Sequence, residues 1–315
     1  MALNLLHFDD ALLSQPLFMQ ECENLGASAI DLRDVGPEMR LWGRDGVLDR
    51  VRQRLRDELS RGGPLLSWSG SGDFHHVTAL ITGIIAEQRQ APVTIVQFDN
   101  HPDWVSFDGG LHCGSWVRHV LETGIAGTVV GLGMTSRDLA WPELKKASLN
   151  HVASGRLVLF SLDPPTTYVA GTYRDGRGHA QRGRRIFWNK FPTDAQQPDA
   201  ETVLSAIGTG AIYITIDKDI LAPAGASTNW DQGTLRLDEL LVWLDVLMQR
   251  CTILGIDVIG DYSTPVYSGS SWDRLKKMGE AAFDQPHWPA DPSAAAALNQ
   301  SANLRLLATL QEHLC

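Results

Sequence analysis

The chain has 315 residues and a formal charge of −10 at neutral pH, with 37 acidic against 27 basic side chains. That length allows one large α/β domain or two smaller ones with a sizeable buried core. With no Lys/Arg run to offset the charge, a nucleic-acid or anionic membrane surface is disfavoured, and a small molecule is the expected partner. Cys22, Cys113, Cys251 and Cys315 are scattered without a CxxC pair, which indicates neither a disulfide framework nor a thiolate zinc site and fits a reduced cytosol. The N-terminus lacks a basic segment followed by an apolar core, and no apolar run reaches membrane-spanning length.

In chain order, Leu3, Leu5 and Leu6 are followed by Val47, Leu48, Val51, Leu55 and Leu59 at helical spacing among charged residues, which predicts a surface-packed helix without evident chemistry. Arg61-Gly62-Gly63-Pro64 breaks it, and Leu65-Leu66-Ser67-Trp68-Ser69 reads as a short strand. That strand runs into Gly70-Ser71-Gly72-Asp73-Phe74-His75-His76, and a helix is predicted from Val77 to Gln88. A dinucleotide fingerprint fails here, because His75 stands where the third glycine is needed. Adjacent histidines beside an acid at a strand end suit a metal instead. A His pair opening a helix can equally well hydrogen-bond loop carbonyls.

Ala91 to Val96 predicts a buried strand that delivers Asp99, His101 and Asp103 at its C-terminal end. Asp99 and His101 are two residues apart, so an extended backbone points them the same way, and Pro102 sets the turn before Asp103. Phe107-Asp108-Gly109-Gly110 is a flexible loop, after which Leu111-His112-Cys113-Gly114 leads into a helix through Leu121. His112 is placed to share the rim as a proton-transferring imidazole, unless it is a structural loop histidine. Cys113 beside it reads as a small packed residue.

Gly127 to Leu132, Gly155 to Phe160 and Arg185 to Trp188 predict further strands, while residues 163–184, rich in Gly, Pro and Arg, predict an exposed loop. Ala211 to Ile216 is the clearest buried strand, and it delivers Asp217-Lys218-Asp219. The i, i+2 spacing sends both carboxylates to one side, and two like charges so close need a cation. Lys218 alternates to the opposite face and is not that partner. A loop through Asn229-Trp230-Asp231, a helix from Leu237 to Gln249 and a strand from Thr252 to Ile259 follow, ending at Gly260-Asp261. Alternating strands and helices over residues 64–262 predict a mostly parallel sheet covered on both faces, with ligands beyond the carboxyl ends of its strands. Three strands deliver His and Asp there.

Ser71-Gly72-Asp73-Phe74-His75-His76, Asp99-Asn100-His101-Pro102-Asp103 and Asp217-Lys218-Asp219 together resemble the motifs of the ureohydrolase superfamily, which includes arginase, agmatinase and formiminoglutamase. The resemblance covers roughly residues 64–262. It implies a single arginase-like domain over residues 1–315, a three-layer α/β/α fold with a mostly parallel central sheet, and two Mn²⁺ or similar first-row ions. One ion would take His75 with Asp99, Asp103 and Asp217. The second would take His101 and Asp219 and share Asp99 and Asp217. Because Phe74 is inserted before the histidines, either His75 or His76 could be the ligand, His75 being favoured. The implied reaction is attack of a metal-bridging hydroxide on a guanidino or amidino carbon, with Asp103 orienting and passing protons and His112 shuttling them. Gly260 stands where the family has a substrate-binding glutamate, and Asp261 is the expected substitute.

Competing readings are a peptide arginase acting on arginine side chains in a larger substrate, with Trp104, Trp116 and Trp230 near the rim, a deacetylase-like amide hydrolase, and a non-catalytic metal-binding relative. A homo-oligomer is compatible with the resemblance. A serine hydrolase is disfavoured because the chain has no Gly-x-Ser-x-Gly elbow.

Overall fold

The computed structural model describes residues 2–59, 64–285 and 291–314. Its strands, in chain order, are β1 (Ala2–His7), β2 (Ser28–Asp31), β3 (Trp42–Gly43), β4 (Leu65–Trp68), β5 (Val93–Phe98), β6 (Leu111–His112), β7 (Ala126–Met134), β8 (Leu157–Ser161), β9 (Thr167–Tyr168), β10 (His179–Arg182), β11 (Arg185–Lys190), β12 (Ala211–Asp217) and β13 (Thr252–Ile259). The helices are α1 (Pro16–Asn24), α2 (Gly36–Met39), α3 (Asp45–Leu59), α4 (Val77–Arg89), α5 (Trp116–Glu122), α6 (Leu149–Ala153), α7 (Ala200–Ile207), α8 (Leu237–Arg250), α9 (Ser271–Asp284) and α10 (Pro292–Leu314). Among the described residues no helix is long and apolar enough to cross a membrane.

One sheet runs in the order β10-β11-β8-β7-β5-β12-β13-β4-β1-β2, and β9 pairs with β11 off that path. Within this sheet all neighbours from β2 through to β11 are parallel and β9 and β10 pair antiparallel with β11; β3 and β6 form a separate antiparallel pair. The period of two in each strand divides the core. On β5, Val93 and Ile95 join one buried cluster with Val51 of α3, Ile84 of α4 and Trp116 of α5. Val96 and Phe98 join another with Phe18 of α1, Trp243 of α8 and Leu306 of α10. Apolar residues on both faces are what a parallel strand covered by two helix layers requires. The expected three-layer architecture is what the chain adopts.

One region departs from the sequence-based expectation. Residues 163–184 are not simply a loop: β9 and β10 flank β11 and extend the sheet edge, and no residue of that segment lines the metal cleft described below. Exposure on both sides of this edge removes the apolar alternation by which a strand is recognised. Leu3, Leu5 and Leu6 belong to β1, which pairs with β4 and β2. The predicted break at Arg61-Gly62-Gly63 and Cys315 lie outside the described residues.

Candidate metal centre

The strand order sets the site. β5 and β12 are neighbours, with Ile216 in register with Phe98, so Asp99 and Asp217 leave the same edge one residue later. β4 lies one strand further, beyond β13. His75 therefore reaches the pair across the end of β13, from the 3₁₀ turn Gly72–Phe74 that precedes α4. Two glycines make room for this. A Cβ on Gly72 would stand 2.8 Å from Asp217 Oδ2, and one on Gly260, whose φ is +98°, would stand 2.3 Å from Asp217 Oδ1. Asp103 itself has φ +47°, an αL conformation uncommon for a non-glycine residue. It is held there by Trp116, whose Nε1 donates to Asp103 Oδ2 at 2.6 Å, and by the Val117 amide, which donates to its carbonyl.

His75 Nδ1 lies 3.2 Å from Asp99 Oδ2, 3.1 Å from Asp103 Oδ2 and 3.5 Å from Asp217 Oδ2. Alongside, His101 Nδ1 lies 2.9 Å from Asp219 Oδ2 and 3.8 Å from Asp99 Oδ1. His75, Asp99 and Asp103 form one group of potential ligands and Asp99, His101 and Asp219 a second; in each, the donor atoms lie within 4.8 Å of one another. Asp99 belongs to both. The two imidazoles present the same nitrogen inward because the other is held elsewhere: His75 Nε2 bonds Thr215 Oγ1 at 2.9 Å, and His101 Nε2 bonds Asp231 Oδ1 at 2.8 Å. Such outer bonds select the tautomer whose inward nitrogen has a free lone pair.

All six residues are buried. Among the described residues, no Lys or Arg forms an ion pair with any of the four carboxylates. The electrostatics follow. Burial, then the Asp103 charge, pushes the Asp99 carboxyl up to about 7; burial and Asp219 do the same to Asp217, and burial and Asp99 to Asp219. Burial also raises Asp103. Burial alone would push the His75 imidazole down, but the hydrogen-bonding Asp103 and Asp99 outweigh it and hold it well above its usual value; Asp219 and Asp231 do so for His101. Crowded acids sharing protons with two imidazoles are what a dication would relieve, and oxygen donors with a minority of nitrogens suit a first-row ion such as Mn²⁺. The residues fit the implied metal pair.

The centre lies in a cleft of about 820 Å³ that also exposes His112, Trp230, Asp231 and, from α9, Glu280, Phe283 and Asp284. His112 is on this rim as the sequence predicts. Its Nδ1 accepts from the Gly114 amide at 2.8 Å, and its Nε2 faces Glu280 Oε1. His76 does not join the metal residues: it is fully buried, neither ring nitrogen has a hydrogen-bond partner, and burial pushes its imidazole well below its usual value. Asp261 does not join them either. The Gly260 and Asp261 amides both donate to Gly70 O, and the Asp261 carboxylate accepts from Lys218 Nζ inside the protein, so the expected substrate contact is instead the partner of a buried lysine. Trp104 and Trp116 are core residues at 0% exposure; of the three tryptophans only Trp230 lines the cleft. Sequence reading missed Thr215, Asp231 and Glu280. Their partners are 140, 130 and 168 residues away, and no local spacing signals such pairs.

No family model matches the chain. An uncharacterised protein of Thermotoga maritima is 26% identical over 196 residues, a match that spans 62% of this chain and 58% of that protein. Among solved structures, a hypothetical agmatinase from Burkholderia thailandensis superposes with TM-score 0.52 at 16% identity, covering 99% of this chain and 86% of the other. Formimidoylglutamase from Bacillus subtilis gives 0.54 at 15%, covering 97% and 87%. Trypanosoma cruzi formiminoglutamase with Mn²⁺ gives 0.53 at 11%, covering 98% and 93%. The chain has the fold of these ureohydrolase-superfamily structures, as its motifs predict.

Proposed function

We propose that the chain is a metal-dependent hydrolase of the ureohydrolase superfamily that cleaves a C–N bond of a guanidino or amidino substrate and releases urea, an amide or ammonia. The observation that supports this most is the convergence of His75, His101 and four aspartates from three strand ends, with no Lys or Arg ion-paired to those aspartates among the described residues. His75, Asp99, Asp103 and Asp217 would hold one ion and His101 and Asp219 the other, with Asp99 and Asp217 shared. Two such ions supply Lewis acidity and activate water near neutral pH.

The chain's own groups divide the remaining work. Asp103 Oδ2, fixed by Trp116 Nε1, is placed to orient an attacking water and take its proton. Thr215 and Asp231 lock the two imidazoles in the ligating tautomer. Beyond the ligand set the cleft carries Asp138, Asp231, Glu280 and Asp284 against Arg137 and Lys145. That excess of negative charge favours a cationic guanidinium or amidinium over an anionic substrate.

A second reading has support of its own. The cleft is at the upper end of the range for small-molecule sites, and Phe283, 92% exposed, stands on its wall. An arginine side chain within a larger peptide would use that space, whereas a free amino acid would fill little of it. Metal analysis of the purified chain, coupled to urea release from arginine, agmatine, guanidinobutyrate and arginine-containing peptides, tests both. Two transition-metal ions per chain with urea from at least one substrate supports the proposal, and the preferred substrate separates the readings. Two ions with no urea from any of them would discard the guanidine assignment and keep the metal centre.

A further inference from the structure

Asp261, the carboxylate expected to hold the substrate cation, is taken up by Lys218 inside the protein, so a cationic substrate needs another acceptor in the cleft. Four acids outside the ligand set line it: Asp138, Asp231, Glu280 and Asp284. Asp138 is ion-paired with Lys145. Asp231 uses both oxygens, Oδ1 on His101 Nε2 at 2.8 Å and Oδ2 on Asn100 Nδ2 at 3.3 Å. Asp284 is exposed, and among the described residues no hydrogen bond or ion pair fixes its carboxylate. Glu280 is both oriented and open. Its Oε1 accepts from His112 Nε2, while Oε2 has no hydrogen-bond partner among the described residues.

The hold on Glu280 is directional. His112 Nδ1 accepts from the Gly114 amide at 2.8 Å, so the ring hydrogen is on Nε2 and the neutral imidazole donates it to the carboxylate. The Phe107 ring, 5.1 Å from the imidazole centroid to centroid, fixes its plane from one side. Glu280 arrives on α9, which is clamped to the body of the protein: Lys277 Nζ donates to the Glu38 and Trp42 carbonyls at 2.6 and 2.9 Å, and Arg44 pairs with Asp273 at 2.7 Å. The same helix packs close to the metal residues. Ala281, next to Glu280, and Trp230 pack against one cluster of Leu41, Trp42 and Cys113, and the Trp230 ring lies 5.8 Å from that of His101.

We propose that Glu280 is the substrate-cation anchor of the cleft, its Oε2 accepting an N–H of the guanidinium or amidinium group while His112 positions the carboxylate. This rests on the hydrolytic reading above and names the residue that selects the charge. A hydrogen bond between a carboxylate and a guanidinium is charge-assisted, so it separates the cation from a neutral molecule of the same planar shape, such as urea. The contact weakens once hydrolysis has turned the cation into a neutral product, which favours release.

Glu280→Gln keeps an acceptor for His112 and replaces the anchoring oxygen by an amide that donates. In the metal-loaded protein, KM for the preferred guanidino or amidino substrate should rise by about 10- to 100-fold, the effect of losing one hydrogen bond to a charged group. Metal content should stay unchanged and kcat should carry the smaller part of the loss. Competitive inhibition by urea should weaken by about twofold or less, because no charge-assisted bond is lost with it. Glu280→Asp, shorter but still charged, should recover part of the discrimination. A merely structural role would move urea and substrate together. Wild-type KM in Glu280→Gln, a loss carried by kcat, or an equal loss of urea affinity would each overturn the anchor and leave the hydrolytic reading in place. A wild-type chain that turns over none of the guanidino or amidino substrates would overturn that reading and the anchor with it.

Discussion

Two sets of buried acids that follow neighbouring strands, Asp217 and Asp219 at the end of β12 and Asp261 after β13, are handled in opposite ways. Asp261 is paired with Lys218, and Asn303 of α10 bonds both, with its Oδ1 2.8 Å from Lys218 Nζ and its Nδ2 3.3 Å from Asp261 Oδ2. Likewise Arg40, only 2% exposed, spans Asp9 at 2.7 Å and Asp73 at 2.5 Å. Asp99, Asp103, Asp217 and Asp219 face two imidazoles and neutral donors such as Trp116 Nε1 and Gln97 Nε2, and among the described residues no Lys or Arg forms an ion pair with them. Burying a carboxylate is costly in both places. Where the chain supplies the cation, the acid is part of the scaffold; where it does not, the acid is kept for a cation from outside. Lys218 makes the contrast sharp, because it sits between Asp217 and Asp219 in sequence yet donates to Asp261 and Asn303.

Substitutions on the two sides should separate accordingly. The largest effect is expected from Asp99→Asn, which removes the carboxylate common to both ligand groups: turnover should fall at least about 1,000-fold and bound metal should drop, as measured by elemental analysis. The melting temperature of the metal-free variant should not fall, since a like charge has been taken from a crowded site. A matching loss of metal-free stability would break the comparison. Asp217→Asn should behave similarly.

Lys218→Met should do the reverse. It leaves Asp261 buried without its cation, at a cost of about 3–5 kcal/mol, readable by urea denaturation in the presence of chelator. The double variant Lys218→Met/Asp261→Leu should recover most of that loss. If it did not, the ion pair would not be the reason Lys218 is buried.

Metal affinity supplies the third test. In the metal-free chain the centre shares protons between its imidazoles, held well above their usual value, and carboxylates raised to about 7. Raised groups favour the protonated folded chain at low pH, an advantage that is lost as pH rises through their folded values. A dication must displace those protons, so its affinity should rise with pH through the region of pH 7, by about tenfold per unit for each proton displaced. A pH-independent Mn²⁺ affinity between pH 6 and 8 would mean that the cluster holds no such protons. The smallest effect is expected from Asp231→Asn, which leaves every ligand in place and weakens the bonds to His101 Nε2 and Asn100 Nδ2; metal affinity should fall by about tenfold. An unchanged dissociation constant, measured by calorimetry, would reduce Asp231 to a surface acid.

What could be read ahead of the structure was local. Asp99 with His101, and Asp217 with Asp219, share a side because a strand end has a period of two, and the β-branched runs before them mark buried strands on their own. Asp261 was expected to contact substrate because it stands one step after the position where the resembling family has a glutamate; that alignment carries no information on Lys218, which takes up its carboxylate inside the protein. Residues 163–184 hid an edge hairpin because neither of its faces is consistently buried.

The amino-acid sequence by itself determined the alternating α/β class, the three motif-bearing strand ends and the excess of acid over base. Only the tertiary structure decided that His75 rather than His76 faces the carboxylates, that Asp261 belongs to Lys218, and that α9 brings Glu280 to His112. Strand periodicity is a property of neighbouring residues, whereas the partner of a buried charge is set by which distant element packs against it, and no spacing along the chain encodes that.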